Sequence, residues 1–130
     1  MLIRYAGVIL TLAGTLALAL GLLFWTGNAL HLASLHMLLG FLAVGSLWVI
    51  GIGQLFTSKG SWAIAVSIFL LGALTVFVGL YQASLLTGDS HWIIEVLHLL
   101  LGLLTIGLGH MAVARHRKAS TGKLQTGHFS

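Results

Sequence analysis

The sequence predicts an all-α integral membrane protein, a four-helix bundle whose helices run up, down, up and down through the bilayer. Three observations predict this class. Hydrophobic residues make up 58% of the 130 residues and charged residues only 6%, so the chain has more apolar surface than a soluble domain of this size can bury. The apolar residues form four runs, each reaching the ~20 residues that a spanning helix needs. Turn-forming residues separate the runs.

The limits of the four runs give the predicted helices in chain order. The first run is uncharged and longer than the roughly 7–15 apolar residues of a secretory signal, so it is interpreted as a spanning helix. Asp89 or Ser90 stands where it can cap the start of the fourth helix. The predicted helices are residues 5–25, 29–56, 62–86 and 91–114, within one domain of residues 1–114, and residues 115–130 form a basic polar tail.

Basic residues predict how the helices are oriented. Lysine and arginine favour the cytoplasmic side of a membrane. Arg4, Lys59 and the basic tail all fall on one side of a four-span chain, and the other two loops contain neither residue type. Both termini are therefore expected in the cytoplasm, and the expected location is the bacterial inner membrane.

Composition also excludes several classes of function. The chain has no cysteine, which excludes disulfides, thiolate metal sites and haem attached through cysteine. It has no nucleophile triad, phosphate-binding loop or carboxylate pair, so nothing supports a hydrolase or a nucleotide enzyme. The basic tail directly follows an apolar run, so it is interpreted as a topology signal. The expected partner is the lipid bilayer, and no nucleic acid is expected.

A histidine-containing segment occurs twice in the chain. Residues 35–45 recur 62 positions later as residues 97–107, and seven of the eleven aligned pairs are identical. The first and third helices also correspond, at an offset of 58, so the chain is predicted to be a tandem repeat of a helical hairpin. The glycines that match between the first and third helices are interpreted as sites of close helix packing. The repeated histidines and glycines are His36/His98, Gly40/Gly102, Gly45/Gly107, Gly14/Gly72 and Gly21/Gly79.

The two repeated histidines are the main candidate for a binding site. His36 and His98 each lie about seven residues inside a helix start, so both are roughly 10 Å below the same end of the bundle. Helices two and four lie across a diagonal of such a bundle, so the imidazoles can face each other. The space between them suits a flat macrocycle with a central iron, and Gly40 and Gly102, one turn below, leave room for it. The alternative is a pair of core histidines bonded within the protein.

The paired histidines and their glycines resemble the ligand helices of four-helix b-type membrane cytochromes. The chain is also similar to one half of a haem A synthase, a family built from two such four-helix halves. Glu95, three residues before His98, resembles the E-x-x-H of haem A synthases, although that family carries the glutamate on the earlier ligand helix, where Ala33 stands here. The resemblance implies b haem held by His36 and His98, with electrons exchanged with a quinone or a partner subunit.

Only one haem is predicted. His110 lies twelve residues after His98, which places it about 120° away from the ligand face of the helix. Trp48 occupies the position where the repeat would supply a partner for His110. His110 could instead bond a quinone carbonyl together with Gln54, or lie at the membrane interface as an ordinary polar residue.

A second polar group is predicted at the outer end of the bundle. His91 and Glu95 lie on the same helix face as His98, two turns and one turn above it. In one interpretation His31 and His91 contact haem propionates or the quinone side, and Glu95 accepts a proton from a quinol. In another, the three residues bind zinc, copper or iron. In the third they are interfacial residues without a ligand.

The sequence therefore predicts a membrane b-type cytochrome with possible quinone oxidoreductase activity. Two other classes stay open. One is a small non-catalytic subunit of a larger membrane complex, either pigment-binding or structural. The other is a membrane metal-binding protein that uses His31, His91 and Glu95.

Overall fold

A computed structural model describes residues 1–56 and 62–127. All regular structure in these two ranges is helical, and four α-helices are long and apolar enough to cross a membrane. The prediction of an all-α chain with four such helices is confirmed, and the fold fits an integral membrane protein. Leucine, valine and aromatic side chains cover the outside of the bundle, which is compatible with contact with lipid. The helices are α1 Leu2–Trp25, α2 Ala33–Leu55, α3 Trp62–Tyr81 and α4 His91–Thr126.

The start of the second helix and the end of the third helix differ from the prediction. The second helix was predicted from residue 29, but Ala29 has a φ of 58° and α2 is preceded by a 3-10 turn, Leu30–Leu32. The third helix was predicted to reach residue 86, but it ends at Tyr81 and continues as a 3-10 turn, Gln82–Ser84. Leu86 has a φ of 46°, which is outside the helical region.

The predicted end of the fourth helix at residue 114 is wrong. α4 continues through the basic residues to Thr126, so most of the segment interpreted as a polar tail is helical. Alanine, arginine and lysine favour helix, and the hydroxyl groups of Ser120 and Thr121 donate to main-chain oxygens four residues earlier. The loop that contains Lys59, and residues 128–130, lie outside the described residues.

The four helices do not touch equally. α1 and α3 each contact α2 and α4, and α2 and α4 contact each other along one diagonal. Within the described residues α1 and α3 make no contact. Along α1 and α2 the contacts run in opposite directions, since Ala17 lies beside His36 and Ile3 beside Gly53.

The tightly filled core lies at one end of the bundle. Leu10, Leu47, Ile50 and Ile68 are fully buried there, and Ala112 joins the same cluster. They come from the first half of α1, the second half of α2, the first half of α3 and the middle of α4. His36 and His98 lie in the opposite half, which contains a smaller buried cluster and two cavities.

Candidate functional site

The structure brings His36 of α2 and His98 of α4 together between the helices. Both side chains are half-buried, and their ring centres are 6.1 Å apart with an angle of 66° between the ring planes. Phe24 of α1 meets His36 edge-on at 5.3 Å. The two repeated histidines thus form a facing pair across the diagonal along which α2 and α4 touch.

Each histidine lies against a glycine of the helix that precedes it. A Cβ atom on Gly21 of α1 would be 3.5 Å from Cε1 of His36, and one on Gly79 of α3 would be 2.8 Å from Cε1 of His98. The sequence marked these glycines as matching repeat positions but assigned them to helix packing alone. In the structure they also give the imidazoles their space.

His36 is held by a hydrogen bond to the neighbouring helix. Its Nδ1 lies 2.8 Å from the main-chain oxygen of Ala17. A carbonyl oxygen can only accept, so Nδ1 carries the proton and donates it. In a neutral ring the other nitrogen, Nε2, is then an acceptor with a free lone pair. Metal-binding histidines commonly donate a hydrogen bond from the N–H of their second ring nitrogen to a backbone carbonyl in this way.

His98 lacks an equivalent bond. Its Nδ1 is buried without a hydrogen-bond partner among the described residues. The repeat equivalent of Ala17 is Thr75, whose hydroxyl donates to Leu71 of its own helix. The facing pair is therefore symmetric in position and asymmetric in its hydrogen bonds.

Two cavities lie on opposite sides of the histidine pair. The larger has a volume of about 330 Å³ and extends toward α1, where Gly14, Ala17 and Gly21 line it. The smaller, about 180 Å³, extends toward α3, where Val76 and Gly79 line it. Both cavities share the two histidines and Gly40 as lining residues. A flat group between the imidazoles would thus find space on both sides of the line that joins them.

No family model, no curated protein and no solved structure matches this chain. The resemblance to b-type cytochromes therefore depends on the histidines, their glycines and the geometry around them.

The glycines predicted below the histidines border the same space. Gly40 lines both cavities and Gly102 lines the larger one, and a Cβ on either would meet no atom within 4 Å. Two threonines, which the sequence analysis did not single out, line the larger cavity as well. The hydroxyl oxygens of Thr75 and Thr105 lie 3.2 Å apart. Their repeat equivalents are alanines, Ala17 and Ala43, so the difference between the two halves could have been noticed in the aligned repeats.

The outer polar residues are only partly brought together. Nε2 of His91 lies 3.8 Å from Oε1 of Glu95, and Glu95 lines the larger cavity. His31 is exposed and does not line either cavity. Within residues 1–56 and 62–127, no three His, Asp or Glu side chains are arranged to hold a metal ion. The structure therefore does not support the predicted metal site of His31, His91 and Glu95.

The inner polar residues have partners within the protein. Nε2 of His110 lies 2.8 Å from the hydroxyl oxygen of Thr11 on α1. The side-chain amide of Gln54 is buried and donates to the main-chain oxygen of Ala112 at 2.6 Å. Neither residue lines the cavities at the histidine pair. A quinone site built from His110 and Gln54 would first have to break both contacts.

Proposed function

We propose that the protein is a membrane b-type cytochrome that holds one b haem between His36 and His98 and transfers electrons. The observation that carries the proposal is the facing imidazole pair with a cavity on each side. An imidazole nitrogen binds a transition metal at about 2 Å, so two imidazoles that held one metal between them would have ring centres roughly 6 Å apart. The 6.1 Å between His36 and His98 is close to this spacing without movement of either helix.

The residues around the pair suit a large, flat and mostly apolar group. The lining combines glycines, which leave the macrocycle room, with Leu18, Leu22 and Ile106. The larger cavity alone lies near the lower end of the roughly 300–1,000 Å³ typical of small-molecule sites. A b haem would supply reversible one-electron chemistry here, with its potential set by its axial ligands and by burial. The protein would supply two neutral imidazole ligands, His36 and His98.

Polar side chains at the rim of the larger cavity support the proposal that polar groups enter there. Glu95 lines this rim together with Gln82 and Trp25, and His91 lies beside Glu95. In this proposal His91 would contact a propionate or the quinone, and Glu95 would accept a proton from a quinol. Electrons would be exchanged at this edge with a quinone or with a partner redox subunit.

The proposed topology is up-down-up-down with both termini in the cytoplasm of a bacterium. It is supported by the opposite direction of contacts along α1 and α2 and by Arg4 and the basic end of α4. With this topology, the histidine pair lies near the outer face of the inner membrane.

The facing pair also separates this proposal from the alternatives. A pigment magnesium normally takes one axial ligand, whereas here two imidazoles at one level face a shared space. A purely structural subunit would not need cavities on both sides of a histidine pair, because membrane helices gain stability from close packing.

A visible spectrum of the purified protein tests the proposal. We expect a reduced-minus-oxidised spectrum of a low-spin b haem, with one haem per chain by pyridine extraction. His36→Ala and His98→Ala should each abolish the low-spin spectrum, because each residue supplies one axial ligand. His110→Ala, which removes a histidine bonded to Thr11 away from the cavities, is the matched control and should keep it. A folded protein without haem after expression with ample haem supply would contradict the proposal.

A further inference from the structure

We infer that the two histidines are unequal ligands, and that the coordination position held by His98 is the one that opens to a small neutral ligand from outside. This inference rests on the proposed function, since it concerns the same iron position. It adds a binding activity for a diatomic gas or a free imidazole, with His36 as the permanent ligand and His98 as the exchangeable one.

His36 is fixed on several sides. Its Nδ1 proton is donated to the Ala17 oxygen at 2.8 Å, which sets both the tautomer and the rotation of the ring. Phe24 closes a further side of the ring with an edge contact at 5.3 Å. A Cβ added to Gly21 would lie 3.5 Å from Cε1 of His36, which is an ordinary contact distance. The ring is therefore held with Nε2 available before any ligand binds.

His98 has none of these hydrogen bonds. Its buried Nδ1 has no partner among the described residues, so no acceptor selects its tautomer or fixes its rotation. A buried ring nitrogen without a hydrogen-bond partner is unfavourable, so ring positions that reach a partner elsewhere are favoured. The ring is confined by Gly79 rather than bonded to it.

The two halves of the repeat also differ in their side chains at two equivalent positions. In the first half, positions 17 and 43 are alanines, and the oxygen of Ala17 accepts from His36. In the second half, the equivalent positions are Thr75 and Thr105, whose hydroxyl groups contact each other and donate to their own helices. The second half thus has a polar pair beside the cavity, and its histidine lacks the carbonyl bond.

The loss of such a supporting hydrogen bond lowers metal affinity by a known factor. Removing the group that bonds to a metal-binding histidine typically lowers metal affinity 10–100-fold. We therefore expect His98 to bind iron about 10–100-fold more weakly than His36 does. In such an exchange His98 would release the iron and its nitrogen would keep the electron pair. The incoming ligand would donate its own pair, so the oxidation state would not change and no other reactant would be needed.

Carbon monoxide and the two single-histidine variants test the inference. The intact ferrous protein should bind carbon monoxide, since His98 yields its position. His98→Ala should retain haem as a five-coordinate, high-spin form that binds carbon monoxide without the step in which His98 leaves. His36→Ala should release haem to an excess of a haem-scavenging protein about 10–100-fold faster than His98→Ala does. Added imidazole should restore a low-spin spectrum in His98→Ala more readily than in His36→Ala.

The outcomes separate the inference from the function on which it rests. An intact protein without haem contradicts the proposed function itself. An intact protein that has a low-spin haem but binds no carbon monoxide overturns the inference and leaves the function standing. Equal haem release by the two variants overturns it in the same way. The carbon monoxide measurement uses the unmodified chain, so a failure to bind carbon monoxide overturns the inference even if one variant fails to fold.

Discussion

The Nδ1 atom of His36 lies 2.8 Å from the main-chain oxygen of Ala17. This contact joins the ring on α2 to the backbone of α1, so one helix orients the candidate ligand carried by the next. Because the acceptor is a main-chain oxygen, no side-chain substitution at Ala17 removes it directly. The orientation of His36 is therefore set by how α1 and α2 pack.

Gly79→Ala should disturb the site, whereas the matched change Gly21→Ala should not. An added Cβ at position 79 would lie 2.8 Å from Cε1 of His98, too close for an undisturbed ring, but at position 21 it would lie 3.5 Å from Cε1 of His36. We expect Gly79→Ala to lose most of the low-spin haem and Gly21→Ala to keep it. The low-spin share of the haem in the visible spectrum measures both. Equal low-spin shares in the two variants would show that His98 moves aside without consequence.

Gly40→Leu should lower haem content by filling the space between the histidines. Gly40 lines both cavities and has no atom within 4 Å of an added Cβ, so the larger side chain would enter the space that the macrocycle needs. Gly45→Leu is the control, because Gly45 is equally open but lines neither cavity. We expect a several-fold fall in haem per chain for Gly40→Leu alone, measured by pyridine extraction. A similar fall in both variants would indicate a general folding defect.

Glu95→Gln should slow reduction by quinol and leave the haem spectrum unchanged. Glu95 borders the larger cavity, 3.8 Å from His91, and glutamine has nearly its shape but cannot accept a proton. General-base catalysis commonly contributes about a hundredfold or more, so stopped-flow reduction rates should fall by up to about that factor. Rates that match the unmodified protein across a broad pH range would reject the proton-accepting role and leave the haem proposal intact.

A reporter fused after Ser130 should behave as cytoplasmic. α4 carries Arg115, Arg117, Lys118 and Lys123 beyond its apolar part, and such residues are retained on the cytoplasmic side. Paired fusions to an enzyme active only in the periplasm and to one active only in the cytoplasm measure the side directly. Periplasmic activity would invert the proposed orientation and place the histidines near the inner face.

The sequence predicted four helices long and apolar enough to cross a membrane, because their apolar runs are long and separated by turn residues. It placed the end of α4 too early, because the change from apolar to basic residues marks the edge of the membrane segment rather than the end of a helix. Residues 115–126 stay helical because no residue in that range other than Gly122 is a helix breaker.

The histidine pair could be predicted because a repeated imidazole in an apolar helix is an unusual signal. Its support could not be predicted so readily. The partner of His36 is a main-chain oxygen on Ala17, and a carbonyl exists at every position, so no residue type identifies it. The cavities likewise arise from how Gly40, Gly102 and their neighbours are arranged across three helices. The contrast between Ala17 and Thr75 was visible in the aligned repeats, but the hydrogen bonding of the histidines needed coordinates.

The order of the helices along the chain has a consequence for biogenesis. Ala17 and His36 both belong to the first hairpin, which the ribosome delivers to the membrane first, whereas His98 belongs to α4, which emerges last. The first imidazole can be oriented while the rest of the polypeptide is still being translated. A group that needs both imidazoles can be captured only after α4 has inserted, so maturation of the site is a late event in membrane integration. An arrested nascent chain that ends within α3 would contain the first of the two candidate ligands and lack the second.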